Sequence, residues 1–257
     1  MKSSITKIIG YLYTGGYIGA TDFCIDRIKK NRQTAVFTPN SEIIYKSSKS
    51  KDLFATLRRA NLLFPDGIGS YLGMKLFNIP VQNRTAGIDL AEIILNECAK
   101  SGYKVFLLGG KDGIADQAAI KLKNKYKGLN ICGCHHGYFD REQDVINKIN
   151  SSGADILFVC LGFPKQEKWI AKNLNLLPSV KLAMGLGGSL DVWSGNVKRA
   201  PRLVSNMGLE WLWRTCQDPK KVKRIGFLVV FSTLLLKEAI FKPKKFGKCY
   251  EIDNFLK

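Results

Sequence analysis

The 257 residues hold 46% hydrophobic and 24% charged side chains, a globular composition that excludes a disordered chain. Lys and Arg number 40 against 21 Asp and Glu, a formal net charge of +19, which points to a polyanionic partner: nucleic acid, anionic lipid or a phosphorylated small molecule. Seven cysteines in no framework spacing, with no cleavage site after the glycine-containing Ile8–Ala20 stretch, predict reduced thiols in the cytosol rather than export.

Short apolar runs alternate with helical patterns along the chain. Strands are predicted at Ala35–Thr38, Asn61–Phe64, Lys104–Leu108, Asn130–Cys132, Asp155–Leu161 and Lys181–Met184. Runs this apolar suit a parallel sheet covered on both faces. Helices are predicted within Ser41–Ala60, with Ser41 as a candidate N-cap, and over Ile88–Ser101, Asp112–Tyr126, Asp140–Asn150 and Pro164–Asn173. The alternation gives an α/β class with a doubly wound, mostly parallel sheet, in which ligands bind at the carboxyl ends of the strands.

After Asp191 no strand pattern follows, and a boundary is placed near Gly195: residues 1–195 form the α/β domain and 196–257 a basic helical appendage. Gly195–Lys257 carries 14 Lys and Arg against 5 Asp and Glu, about half of the chain's excess charge. Helices are predicted at Met207–Cys216 and Lys221–Phe241, separated by Asp218-Pro219. The one continuous apolar run, Ile225–Leu236, is shorter than the roughly 20 residues needed to span a bilayer. Lysines and arginines bracket it, so it suits a membrane surface rather than a crossing.

Several strand ends carry residues able to meet a phosphate or sugar. Thr38-Pro39-Asn40-Ser41-Glu42 stands before a helix, where Thr38 and Asn40 fit either a ligand or, as the spacing favours, a plain helix cap. Asp66, in Pro65-Asp66-Gly67-Ile68-Gly69, is either a general base for a hydroxyl or a turn aspartate. Arg84 is a diphosphate clamp or a surface arginine. Gly109-Gly110-Lys111-Asp112-Gly113 follows a strand and opens a helix, so its N–H groups can cradle phosphate, although neither the Walker nor the dinucleotide pattern is present. Gln166 lies in the first turn of the helix after Gly162-Phe163-Pro164. Arg214, Lys221 and Arg224 share one helical face if the helix is continuous, which Asp218-Pro219 puts in question; a solvated basic face is the alternative. Cys132, Cys134, His135 and His136 lack the second half of a tetrahedral site, so no metal is expected. The only two histidines are adjacent, which argues against histidine-activated nucleophiles.

Together these segments resemble the WecG/TagA/CpsF family of glycosyltransferases (family 26). The carriers are Thr38–Glu42, Asp66–Gly69, Arg84–Asp89, Phe106–Gly110, Gly137-Tyr138-Phe139, Leu161–Glu167, Arg199-Ala200-Pro201 and Gly208–Arg214. The resemblance implies a Rossmann-like sheet and an inverting transfer that requires no metal or other cofactor. The implied reaction moves N-acetylmannosamine from UDP to undecaprenyl-diphospho-N-acetylglucosamine, at the start of teichoic acid linkage synthesis; relatives use N-acetylmannosaminuronic acid or glucose. It further implies Asp66 as base, with Thr38, Asn40 and Gln166 in the same pocket, and an appendage docked on the inner face of the cell membrane that brings Arg214 and its neighbours to the diphosphate. Position 221 departs from the pattern, since lysine stands where an arginine fork is usual, which weakens the implied grip.

Two other classes were weighed. A nucleic-acid module would interleave exposed aromatic and basic residues, but Trp211, Trp213, Phe227 and Phe231 fall in apolar helical patterns, so no nucleic-acid partner is expected. A nucleotide-sugar epimerase or dehydrogenase would need the dinucleotide fingerprint and a Tyr/Lys pair, and neither is evident. Homo-oligomerisation is left open.

Overall fold

The computed structural model describes residues 5–201, 204, 212, 213 and 223–241. The chain divides into two compact units, one drawn from Met1–Gly16, Thr38–Ala86 and Lys198–Lys257, the other from Tyr17–Phe37 and Gly87–Val197. The chain passes between these units near residues 16, 37, 86 and 197.

The second unit is a parallel sheet. Its strands are β1 (Thr34–Phe37), β3 (Lys104–Gly109), β4 (Asn130–His135), β5 (Ile156–Cys160) and β6 (Leu182–Gly185), hydrogen-bonded in the order β1-β6-β5-β3-β4. Every pairing is parallel: Val36 lies opposite Met184, Phe158 opposite Met184, and Leu107 opposite Phe158. Apart from Lys104, every residue of β1, β3, β5 and β6 is buried. That is the physical reason for their unbroken apolar runs: helices cover both faces, so no position alternates toward water. Edge strand β4 is only partly buried, and its sequence signal is correspondingly weak.

Helices α2 (Gly16–Lys29), α6 (Gly87–Ser101), α7 (Ile114–Lys125), α8 (Glu142–Ser152), α9 (Lys165–Asn173) and α10 (Ser189–Trp193) complete this unit. Each buries a stripe at helical spacing, such as Leu90, Ala91, Ile94, Leu95 and Cys98 on α6, and Val145, Ile146 and Ile149 on α8. Strand β3 leads through α7 to β4 on one side, whereas β5 leads through α9 to β6 on the other. Right-handed crossovers therefore put α7 and α9 on opposite faces. The crevice of a doubly wound sheet opens outside the carboxyl ends of the two strands where the winding reverses, here β3 and β5.

The first unit is mostly helical: α1 (Ile5–Ile9), α3 (Ser41–Lys49), α4 (Lys51–Leu57), the short strand β2 (Leu62-Leu63), α5 (Gly67–Leu76) and α11 (Lys223–Phe241). The predicted Ser41–Ala60 helix is two helices, because Ser50 is extended, ends α3 and caps α4 by accepting from Leu53 N. Asn40, not Ser41, is the N-cap of α3; the Ser41 side chain turns inward and is buried.

Helix α5 was not anticipated, since Gly67, Gly69 and Gly73 interrupt its pattern. Tertiary packing explains the glycines: a Cβ on Gly69 would lie 1.9 Å from Ser41 Oγ, and one on Gly73 would lie 2.7 Å from Ile9 Cδ1. The missing side chains let α5 press against its neighbours, and that contact outweighs the roughly 1 kcal/mol by which glycine disfavours a helix.

Helix α11 is held in the same unit. Phe231 and Leu235 are buried, with Leu235 in reach of Gly73. Glu238, one turn further on, accepts from Ile5 N at 3.3 Å, Thr6 N at 2.9 Å and the Thr6 hydroxyl. The carboxylate thus caps the first turn of α1, where backbone donors have no intrahelical acceptor. Replacing Glu238 with Ala is expected to lower unfolding stability by about 1–2 kcal/mol, the usual effect of losing a cap. Urea denaturation of the full chain measures this; an unchanged midpoint would show that the cap contributes nothing.

Candidate active site

Within the first unit, three chain segments meet at one knot. Asp66 N donates to Pro39 O at 3.2 Å, and Gly67 N donates to Thr85 O at 2.9 Å. Ser70 Oγ, one turn into α5, donates to Pro39 O at 2.8 Å and is buried there. The Thr85 hydroxyl donates to Pro65 O. Four of the residues singled out from the sequence, Thr38, Asn40, Asp66 and Arg84, therefore stand on segments tied to one another by backbone hydrogen bonds.

Their side chains differ in what they already do. Asn40 Oδ1 accepts from Glu42 N at 3.0 Å and Ile43 N at 3.1 Å, so the oxygen is the helix cap that its spacing suggested, and Nδ2 is the end left for other contacts. Thr38 is buried. Asp66 occupies the N-cap position of α5 with extended backbone yet makes no side-chain cap bond. Its residue is partly exposed, as a proton acceptor must be. Gly67 follows at φ +77, a conformation open to glycine at little cost. Arg84 is also partly exposed. Arg214 and Lys221 lie outside the described residues, as does most of the predicted Met207–Cys216 helix; Arg224 belongs to α11, with its side chain outside the described part.

Within the second unit, glycines line the strand tips at the reversal point. Gly109 ends β3 at φ +137, and a Cβ there would lie 2.3 Å from the Cys160 carbonyl oxygen of β5. Gly110 has φ +71, and its N–H reaches the same carbonyl at 3.4 Å. Gly137, just past β4, donates to Gly110 O at 2.8 Å, and its own Cβ would lie 3.2 Å from Gly109 Cα. Bare backbone at the adjacent tips of β3 and β4 lets a ligand approach main-chain groups closely.

Gln166, in the first turn of α9, is only 2% exposed. Its Oε1 accepts from Gly187 N at 2.8 Å, past the end of β6, and its Nε2 donates to Glu167 Oε1 at 2.9 Å. A Cβ on Gly185 would lie 2.9 Å from that Nε2, so Gly185 makes room for the amide.

Glu167 closes the Leu161–Glu167 segment. It is 1% exposed, and Oε2 has no hydrogen-bond partner. Burial pushes its carboxyl up from the ordinary 4.5 to about 7, against the smaller downward pull of the Gln166 hydrogen bond. The available signal was periodicity: Gln166, Glu167, Trp169, Ile170 and Asn173 are the buried residues of α9, so three polar residues stand where apolar ones are usual.

His135 Nδ1 lies 2.8 Å from His136 O, and Tyr138 N donates to His136 Nδ1. Among the described residues, no group of three or more His, Cys, Asp or Glu side chains is placed to hold a metal ion.

Comparison with known proteins decides the family. Residues 8–245 match the glycosyl transferase WecG/TagA/CpsF family. The chain belongs to that family. A Bacillus spizizenii protein named N-acetylglucosaminyldiphosphoundecaprenol N-acetyl-beta-D-mannosaminyltransferase is 34% identical over 89% of this chain and 90% of its own length. Proteins of the same name from Bacillus subtilis and Staphylococcus aureus are 34% and 32% identical, over 93% and 79% of this chain and 88% and 79% of their own lengths. The family match spans both units and so covers the knot at Pro39 and the glycine floor alike.

The Glu167 carboxyl links stability to pH. Its folded-state value lies above the ordinary one, so the folded protein keeps this proton while the unfolded chain loses it. Stability from this group is complete below about pH 4.5, declines as pH rises toward about 7, and is level beyond, a loss on the order of 3 kcal/mol. Glu167→Gln is expected to remove that slope. Denaturation of both proteins between pH 4.5 and 7.5 reads the difference, and parallel curves would place the carboxyl in a wetter setting.

Proposed function

We propose that this glycosyltransferase moves N-acetylmannosamine from UDP-N-acetylmannosamine to undecaprenyl-diphospho-N-acetylglucosamine, the reaction named for its relatives, in a single inverting displacement. The observation that carries the site assignment is Asp66. Its backbone is tied to Pro39 and its neighbour's to Thr85, while its carboxylate is not spent on capping the helix it precedes.

In this reading, Asp66 takes the proton from the acceptor hydroxyl as that oxygen attacks the anomeric carbon. A positioned carboxylate contributes roughly 10²–10⁴-fold in such a step. UDP departs with growing negative charge, for which the cations Arg84, Arg214, Lys221 and Arg224 are our candidates. Thr38, Asn40 through Nδ2, and Gln166 through its second amide proton orient the sugars. Asp66→Asn is expected to abolish UDP release on a short-chain lipid-diphosphate-N-acetylglucosamine acceptor while leaving UDP affinity within about threefold, since chemistry and not ground-state binding is removed. Near-normal turnover in that variant would refute the role.

The acceptor's lipid implies work at a membrane surface, and we place the enzyme peripherally on the inner leaflet. No described helix is long and apolar enough to cross a bilayer. Helix α11 supports an interfacial position: Val229, Leu236 and Ile240 form an exposed apolar stripe, Ile240 being 69% exposed, while Phe231 and Leu235 face inward. An apolar stripe in a strongly cationic chain fits an anionic leaflet, where each nearby Lys or Arg adds about 1 kcal/mol. Leu236→Glu with Ile240→Glu is expected to prevent sedimentation with phosphatidylglycerol vesicles and to slow turnover on vesicle-borne acceptor, with turnover of a water-soluble acceptor retained. Undiminished vesicle binding would move the contact elsewhere.

A further inference from the structure

The Gln166 carboxamide can be turned end for end with little change in shape, and only its partners decide which end is oxygen. One partner is fixed by the backbone: Gly187 N–H can only donate, so the amide end 2.8 Å away must be Oε1. The other end then needs an acceptor. The Glu167 carboxyl supplies it, with Oε1 at 2.9 Å from Gln166 Nε2. The Gly185 position bounds the amide on a further side. One N–H of Nε2 and one lone pair of Oε1 are left over.

The chemistry at position 167 is otherwise hard to account for. The side chain is 1% exposed, and among the described residues no cation pairs with it and Oε2 has no partner. Burying a carboxyl in this way is unfavourable. A leucine or methionine would fill the same stripe of α9 at no such cost, so stability alone does not explain an acid here.

We propose that Glu167 is a positioning residue for the transfer reaction: its buried carboxyl holds the Gln166 amide in one orientation, keeping the loop after β6 attached to the start of α9 and presenting the remaining amide proton to the substrate. The carboxyl does not touch the reacting atoms and acts through Gln166. Burial favours the neutral acid, whose carbonyl oxygen still accepts from Gln166 and which leaves no bare charge in the core. The inference rests on the assignment of Gln166 to the sugar site made above.

The test is a double-mutant cycle in the full-length enzyme, with steady-state kinetics on the short-chain acceptor and UDP affinity and melting temperature measured for each variant. Glu167→Met keeps the volume and removes the acceptor; Glu167→Gln keeps an acceptor. Gln166→Ala and Glu167→Met are each expected to lower kcat by about tenfold or more, with KM changing less, and the double variant is expected to be no worse than Gln166→Ala alone, as for residues acting in series. Glu167→Gln is expected to stay within about threefold of wild-type kcat, the rescue that a merely space-filling role would not give. Independent losses that multiply in the double variant, or unchanged kcat in Glu167→Met, would overturn the proposal while leaving Gln166 in the site. Normal turnover in Gln166→Ala would overturn both. Should Glu167→Met not fold, the glutamine variant decides: a tenfold loss of kcat there is the overturning result.

Discussion

The Pro39 carbonyl oxygen is the fixed point of the first unit. A carbonyl has two lone pairs, and here both are used, one by Asp66 N and one by Ser70 Oγ. The turn after β1 and the first turn of α5 therefore cannot move separately without leaving a buried polar group unpaired, which costs roughly 1–3 kcal/mol. Thr85 adds a third segment through two further bonds. The arrangement explains a division of labour between neighbouring caps. Asn40 spends its side-chain oxygen on the helix that it starts. Asp66 occupies the equivalent position without doing so, because main-chain bonds already hold the α5 entrance. Its carboxylate thereby stays out of the capping role that its position would ordinarily give it.

The second unit reaches a similar end by removing side chains. At Gly109 a Cβ would collide with the backbone of the adjacent strand rather than with a flexible side chain, so no rotamer change relieves it. The tips of β3, β4 and β5 are then as close as main chains allow. Helix N-termini follow two of them, and the positive ends of the helix dipoles favour an anion.

Much of this was legible in the sequence, and the failures share a cause. The strands were read within one or two residues at most ends; burial on both faces leaves β1, β3, β5 and β6 apolar runs that do not depend on context, and the half-buried edge strand β4 was read three residues short. Helices α6 to α9 were legible from their buried stripes. The unread elements α1, α2, α5 and α10 contain or adjoin glycines and have no strong stripe of their own; they are helical because neighbouring elements pack on them, which periodicity does not record. In the candidate site, the glycine turns and Asp66 stood out because turn chemistry is local. Glu167 did not, since Lys165-Gln166-Glu167-Lys168 looks like solvated surface, and only the fold shows that its two middle residues face inward while both lysines face out.

Helix α11 shows the same limit from the other direction. Its Ile225–Leu236 run looked uniformly apolar, with no preferred face. The structure resolves two stripes. Phe231, Leu235 and Glu238, spaced by four and three, face the first unit, where the two apolar side chains are buried and the carboxylate finds three donors at α1. Val229, Leu236 and Ile240, spaced by seven and four, stay exposed. A helix apolar on two sides has a weak amphipathic signature although each side has a distinct neighbour. Glu238 sets which side is which: an unpaired carboxylate in that inner stripe would be costly, so the helix settles only at the rotation and height that bring it to Ile5 and Thr6. Once it is fixed there, the outward stripe cannot turn away from water.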